Sequence, residues 1–460
     1  MALTDTDSAR SSLSPAGLIG RARAWLADAS HRSIAQRVAG TAFIIRVASA
    51  ALIYICQIFL ARWMGRFEFG IYVYVWTWVL LLGGLAPLGI GYLAQRFIPE
   101  YTGKSDGDGL RGFIVGSRWL CFGFGAAAAA VGIAVVVLYR GLIPAHFFWP
   151  FVLGFACLPI FAVSCVQDSI ARSYNWIDLA LVPAYIAQPI LIFGVMAALY
   201  GAGVPATAVA AVLTATAGFW AVVLLQLVLL NRRIARTVEP GPRRYEFRYW
   251  LRAGLPVLMI DGFYFLLTYT DILLLQLYVG PEQIAVYYAA TKTLALVAFI
   301  YFAVSAASAH RFSEYHVAGD RTKLADFVAD ATRWTFWPSL AMTVALVALG
   351  KPILMLFGEG FAEGYPLILV MACGLLARAS IGPAERLLNM VGQQKLCALV
   401  YAGAFAINLV LCLLTIPHLG MHGAAISTAT ALIAETALLF WVARRRLGIH
   451  VFIWGRPAAA

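Results

Sequence analysis

The sequence predicts an all-α polytopic membrane protein of twelve transmembrane helices, arranged as two pseudo-symmetric six-helix lobes around a central cleft. Three observations predict it. Of the 460 residues 62% are hydrophobic and only 12% charged, and the apolar residues fall in runs long enough to cross a bilayer. Ala, Leu and Gly abound in these runs without period-two alternation, so the backbone is satisfied within helices rather than in a barrel. The third observation is a repeat. Leu60 to Phe97, LARWMGRFEFGIYVYVWTWVLLLGGLAPLGIGYLAQRF, is echoed 215 residues later from Leu275 to Phe312. At that offset Gly65 meets Gly280, Tyr72 meets Tyr287 and Arg96-Phe97 meets Arg311-Phe312; Ser117-Arg118-Trp119 meets Thr332-Arg333-Trp334. One residue further, Tyr185 meets Tyr401. Duplicated units of this kind are a recurrent way of building transporters.

Residues 1–37 form a polar leader, in which Leu18, Ile19, Trp25 and Leu26 against Arg21, Arg23, Arg32 and Arg37 fit either an interfacial helix on anionic lipids or a plain solvated segment. Apolar runs follow at 38–61, 70–97, 112–139, 148–171, 179–200 and 205–230, giving an N-terminal lobe over 38–231. The linker over 232–249 carries Glu239-Pro240-Gly241-Pro242, which no helix continues through. The C-terminal lobe over 250–446 has runs at 250–279, 285–310, 334–357, 365–388, 396–416 and 421–443, and a tail over 447–460 closes the chain. Assigning alternate loops to opposite sides puts 28 of the 34 Lys and Arg on the side of both termini and four on the other. That bias makes both termini cytoplasmic in a bacterial inner membrane, and it accounts for the net charge of +12 without nucleic acid. Six crossings per half enter in the same direction, so the pseudo-symmetry axis runs along the membrane normal.

Ionisable groups inside apolar runs cost several kcal/mol unless paired or wet, so each is a candidate for function. Arg46 lies in the first run and Asp261, its repeat partner, in the seventh. Arg46 reads either as an anion anchor or as an arginine snorkelling to the inner headgroups. Asp271 and Lys292 flank the second hairpin turn at equal distances, so an ion pair is geometrically available. It reads either as a structural pair that neutralises both charges, or with Asp271 as a proton- or cation-responsive group and Lys292 as a second anion contact. Asp168, Glu435, Gln57, Gln95, Gln188, Gln276 and Asn408 read as helix-to-helix hydrogen bonding. The aromatics Tyr72, Tyr74, Trp76 and Trp78 read as an interfacial belt near the outer end of the second run. Prolines 87, 183, 189 and 256 loosen their helices. There is no Walker, HExxH or CxxC pattern, so neither catalysis, nor a cofactor, nor a bound metal is expected, and any work comes from a gradient or the membrane potential.

LARWMGRFEFGIYVY resembles the first hairpin of the polysaccharide exporters and O-antigen flippases (Wzx type) of the MATE-like multidrug/oligosaccharidyl-lipid/polysaccharide (MOP) superfamily. YVGPEQIAVYYAATK, GDRTKLADFVADATRW, LMLFGEGF and IPHLGMHGAAISTA are similar to later parts of the same family, and the resemblance spans about residues 38–446. It implies a V-shaped bundle that rocks between inward- and outward-open states. It also implies a cargo, undecaprenyl-diphosphate-linked oligosaccharide units for O-antigen or exopolysaccharide synthesis, with polymerase and chain-length proteins as partners. Lipid II flippases of the superfamily carry cleft cations on their first and eighth spans, where Arg46 and Lys292 stand here. They have two extra helices that this chain lacks. A MATE-like organic-cation antiporter is the first alternative, though it would want an acidic N-terminal cleft, and only Asp168 stands there. A membrane glycan polymerase or ligase is the second, and the short predicted outer loops argue against it.

Overall fold

The computed structural model describes residues 31–455, with side chains from Ile45 onward, so the leader lies outside the described residues up to position 30 and is helical from His31. Eleven stretches among the described residues are long and apolar enough to cross a membrane. The first, Ile45–Gly103, has 59 residues. An unbroken helix of that length would run about 88 Å, nearly three times a hydrocarbon core of about 30 Å. Two breaks divide it. Helix α1 (His31–Leu85) is interrupted at Gly65, whose φ of 74° and ψ of 170° are open only to glycine, and α2 (Ile90–Gly103) begins after Gly89 in a left-handed conformation. Gly65 is therefore the turn of the first repeated hairpin.

The remaining helices follow the apolar runs closely. They are α3 (Gly107–Leu138), α4 (Ala145–Phe155), α5 (Leu158–Ser173), α6 (Ile177–Val182), α7 (Gln188–Gly201) and α8 (Ala208–Thr237) in the first half. The second half holds α9 (Phe247–Leu275), α10 (Pro281–Val317), α11 (Arg321–Met355), α12 (Tyr365–Ala379), α13 (Ala384–Met390), α14 (Gln394–Leu419) and α15 (Met421–Leu447). Prolines mark several irregularities. Pro183 opens a π-helical turn, Pro183–Ala187, between α6 and α7, where the missing proline N–H relaxes the ladder. The basic segment 311–333 is helical except at residues 318–320, so α10 and α11 continue past their apolar runs. The tail is not free either. Ile449, Val451 and Ile453 are buried, and the Ile453 N–H donates to the Ser380 carbonyl at 2.9 Å.

The buried side chains form three clusters, and their placement describes the architecture. One is shared by both halves and gathers the two repeated hairpins: Leu60, Phe69, Ile71 and Tyr72 pack with Leu275, Ile284, Tyr287 and Ala290. At the other end of the molecule the clusters separate. Phe97, Phe113, Ile170 and Leu230 belong to the first half, and Phe312, Leu324, Leu387 and Leu439 to the second. The halves are thus joined at the Gly65 end and carry private cores at the end of the chain termini. Tyr72 and Tyr74 lie in the shared core, stacked on Trp76 and edge-on to Phe147 and Phe151. They are core residues rather than the belt that their sequence position suggests. The apolar rings are used to seal one half against the other.

Polar ties complete the join. Tyr54 of α1 and Thr293 of α10 share a hydrogen bond of 2.7 Å across the halves, and Arg66 bridges Glu363 at 3.1 Å. Glu68 accepts from the Ala208 N–H at 2.6 Å and so caps α8. Removing the tyrosine hydroxyl by Tyr54→Phe leaves the ring against Phe357 in place. It is expected to cost the joined state about 1 kcal/mol, the net worth of one such bond, read as a small rise in the exchange rate of α10 amides near Thr293.

The linker is docked at the opposite end. Arg111 of α3 donates to the Pro242 carbonyl at 2.8 Å and the Glu239 carbonyl at 2.9 Å, and Arg244 bridges Asp106. Asp106 caps α3 through the Gly109 N–H, which, ahead of Arg244, holds its carboxyl below the usual range. The contribution of this cap is present at neutral pH and fades only as pH falls through that depressed value. Trp250, fully buried, packs on Phe113 and donates to the Tyr101 hydroxyl at 3.1 Å. The first turn of α9 therefore belongs, by contact, to the first half.

Candidate functional site: the gap between α1 and α10

The Tyr54–Thr293 bond fixes the register of two antiparallel helices and so places the charged residues around them. Arg46 and Tyr301 each lie eight residues beyond it toward the terminal end, about 12 Å away by helical rise. There the helices no longer hold each other. Arg46 is exposed, and its guanidinium lies 5.8 Å over the ring of Tyr185, which the π-helical turn presents from its own half. Tyr301 donates to Glu385 at 3.2 Å within the other half. Each helix has found partners on its own side, which leaves a gap between them.

Lys292 stands beside Thr293 at the closed end of that gap, half-buried, with its ammonium 5.0 Å over the Tyr288 ring. It makes no ion pair with Asp271. The Asp271 carboxylate, nearly fully buried, accepts instead from the Tyr287 hydroxyl at 2.5 Å, the Thr428 hydroxyl at 3.2 Å and the Ile272 N–H at 2.8 Å. The hairpin does bring α9 and α10 together, with Tyr287 opposite Asp271. Azimuth decides the pairing, because residues five apart on a helix point roughly 140° from one another. The face of α10 that offers Tyr287 to Asp271 turns Lys292 away, onto Tyr288 one turn back. The Asp271–Lys292 pair that equal spacing allows is therefore not formed, and Lys292 is left as a cation on the gap.

Asp261 is half-buried on α9 and is not bridged to Arg46. Tyr92 of α2, half-exposed, is near enough to both Asp261 and Tyr185 to feel their charge. Asp168 accepts from Gln226 at 2.8 Å inside the first half, the structural role its position suggests.

A second charged group was not legible as one. Arg378, in the last turn of α12, lies 3.4 Å from Glu435 of α15 and 3.6 Å from Glu385 of α13, with its guanidinium over Tyr301. Glu435 has no exposed surface, and neither of its oxygens has a hydrogen bond among the described residues. By charge counting Arg378 belongs to a loop and Glu435 to helix-helix contacts; folding brings them together from five separate helices, Tyr401 of α14 included. The one available signal was the repeat. Tyr185 carries Arg46, and its counterpart Tyr401 lies by Arg378 and edge-on to Tyr264 at 5.8 Å. Each half thus sets an arginine beside the repeated tyrosine, free of carboxylates in the first half and neutralised in the second.

Comparison with known proteins places this arrangement. A family model described as MatE matches residues 256–414. No curated protein matches the chain by sequence. A multidrug resistance MATE transporter of the MOP superfamily in an inward-facing conformation matches with a TM-score of 0.69 and 14% identity, over 88% of this chain and 98% of that one. Lipid II flippase MurJ in an inward closed conformation matches at 0.68 and 16% identity, over 87% of each chain. An outward-facing MATE transporter matches at 0.61 and 15%, over 89% and 95%. At such identities the likeness is one of fold. The chain shares the fold of these MOP-superfamily transporters, and the MatE match falls within its second half. The likeness extends to MATE transporters and lipid II flippases and does not single out the polysaccharide exporters.

Proposed function

We propose that this protein is an alternating-access flippase that moves an anionic, undecaprenyl-diphosphate-linked oligosaccharide across the bacterial inner membrane. Counting the Gly65 break as a turn gives twelve crossings, six to a lobe. With the basic loops in the cytoplasm, the shared core seals the outer side and the gap opens inward, the state in which cargo would load. The observation that carries the reading is the pair of cations on the gap. Arg46 and Lys292 sit at two depths on facing helices, each against a tyrosine face, and neither meets a carboxylate within bridging distance among the described residues. Holding the half-buried Lys292 without a counter-ion is costly, and a diphosphate would supply one there and a second contact at the exposed Arg46. Carrying its two negative charges outward against an inside-negative potential releases roughly 4–5 kcal/mol per 100 mV if the whole field is crossed. The glycan would pass through the wet gap while the prenyl chain stays in lipid.

A second reading, a MATE-like organic-cation antiporter, is favoured by the MatE match and by the MATE structures among the similar folds. Asp261, half-buried and without an ion pair among the described residues, would be its cation contact. One experiment separates the two. In cells carrying Arg46→Ala, surface polysaccharide is expected to fall by roughly tenfold or more at unchanged protein level, with lipid-linked units accumulating on the cytoplasmic leaflet. Normal polymer together with altered susceptibility to cationic drugs in the deletion strain would overturn the first reading for the second.

A further inference from the structure

A separate cavity of about 810 Å³ opens on the first half, away from the gap. Its walls come from α3, α5, α8 and the linker, with no residue of the second-half helices. Arg118 lines it. This arginine is 8% exposed, and one nitrogen, Nη1, donates to Asn231 at 2.7 Å. The other two, Nε and Nη2, are buried with no hydrogen-bond partner. Those two nitrogens share one edge of the guanidinium, the planar fork that takes two oxygens of a phosphate at once. Leaving that edge empty costs the full desolvation of a charged donor pair, so the fold carries a penalty that an anion would remove.

We propose that this cavity is a binding site for the phosphate headgroup of an anionic bilayer phospholipid, held by Arg118 and flanked by Arg243 of the linker. The rest of the lining fits an acyl chain. Trp119, Phe122, Trp220 and Leu224 make an apolar wall, and Trp119 and Leu224 are 68% and 45% exposed toward the surroundings of the helix bundle. The Trp220 indole N–H is already satisfied by the Ala156 carbonyl, so this ring offers only its apolar face. The cavity also lies where a headgroup would, at the level at which the linker crosses α3 and α8.

The repeat supplies an internal control. Ser117-Arg118-Trp119 recurs as Thr332-Arg333-Trp334, but Arg333 is half-exposed and bridged to Asp330 at 3.5 Å. The second half has satisfied its arginine at the surface. Only the first half keeps the buried open fork beside a cavity, so the feature is specific to this site rather than a property of the repeated unit.

The test uses the full chain purified in detergent and stripped of lipid, then offered phosphatidylglycerol, phosphatidylcholine or inorganic phosphate, with bound lipid read by native mass spectrometry and stability by thermal melting. Phosphatidylglycerol is expected to remain bound and to raise the melting midpoint of wild type and of Arg333→Gln. In Arg118→Gln retention should fall roughly tenfold, the scale of one charge-assisted contact pair. Ala235→Trp, on an exposed position of the cavity rim, should block the site with Arg118 intact, and it decides the matter if the Gln variant does not fold. Equal retention in Ala235→Trp, equal binding of phosphatidylcholine, or full stabilisation by inorganic phosphate would overturn the proposal. So would preferential capture of undecaprenyl phosphate over phosphatidylglycerol, which would make the site a stop on the cargo's route.

Discussion

Gly70→Ala is expected to stop transport and to push the Gly65 end of the molecule open. A Cβ at this position would lie 1.9 Å from the Pro281 carbonyl oxygen and 2.5 Å from its carbonyl carbon. Both are backbone atoms of α10, across the join between halves, so no side chain can swing aside. Relief requires α1 and α10 to separate. Overpacking of this kind costs about 1–3 kcal/mol where neighbours yield, and more where they are backbone. The penalty falls only on the conformation in which the two hairpins touch, so at about 3 kcal/mol it shifts the balance of states by roughly a hundredfold. Spin labels at Arg62→Cys and Glu282→Cys, both exposed near the turns, would report a longer distance in Gly70→Ala. Gly194→Ala, with nothing within 4 Å of the added methyl group, should leave it unchanged. An unaltered distance distribution in Gly70→Ala would show that the close contact does not govern the state.

Arg378→Ala should be the most destabilising single change in the second half. It strands Glu435, which has no exposed surface, without its only bridging partner among the described residues. Breaking a buried pair from one side costs about 3–5 kcal/mol; with the Arg378 side chain 23% exposed, the lower end applies. Arg378→Met combined with Glu435→Met removes both charges and should recover most of the loss, because an apolar pair of similar volume requires no desolvation. The check is urea or thermal unfolding of the three variants in one detergent. If the double variant is no more stable than the single, the cluster is held by something other than charge compensation.

Much of the frame was legible in the sequence, and for physical reasons. Hydrocarbon demands long apolar helices, so the runs announced themselves, and the repeat placed Gly65 at the first turn. Helix α8 ends ahead of Pro240 and Pro242, which forbid its continuation. What the sequence withheld depends on rotation about helix axes and on distances between helices. Spacing made an Asp271–Lys292 pair available, but could not show that Tyr287 would face the aspartate. Tyr72 and Tyr74 sit where a belt would sit, and only the arrival of α4 and α10 turns them into core. The meeting of Arg378, Glu385 and Glu435 with Tyr301 and Tyr401 needs five helices to converge, a relation with no local signature. The same is true of Gly70, whose importance is set entirely by how near Pro281 comes.

Helix α9 has divided loyalties. Its first turn is buried in the first half through Trp250, with Tyr249 against Phe97 and the Gly254 carbonyl close on Gly89. Its far end hydrogen-bonds to Thr428, and its middle packs Phe263 on Phe405 and Tyr264 on Tyr401 of α14. A rod clamped at both ends to two bodies sets how far they can travel. In the rocking motion proposed above, the stroke would be limited by how sharply α9 can flex near Pro256, where the backbone ladder lacks a rung, and not by the slack in the linker beside it. Lengthening the linker would leave the stroke as it is; stiffening the helix would shorten it.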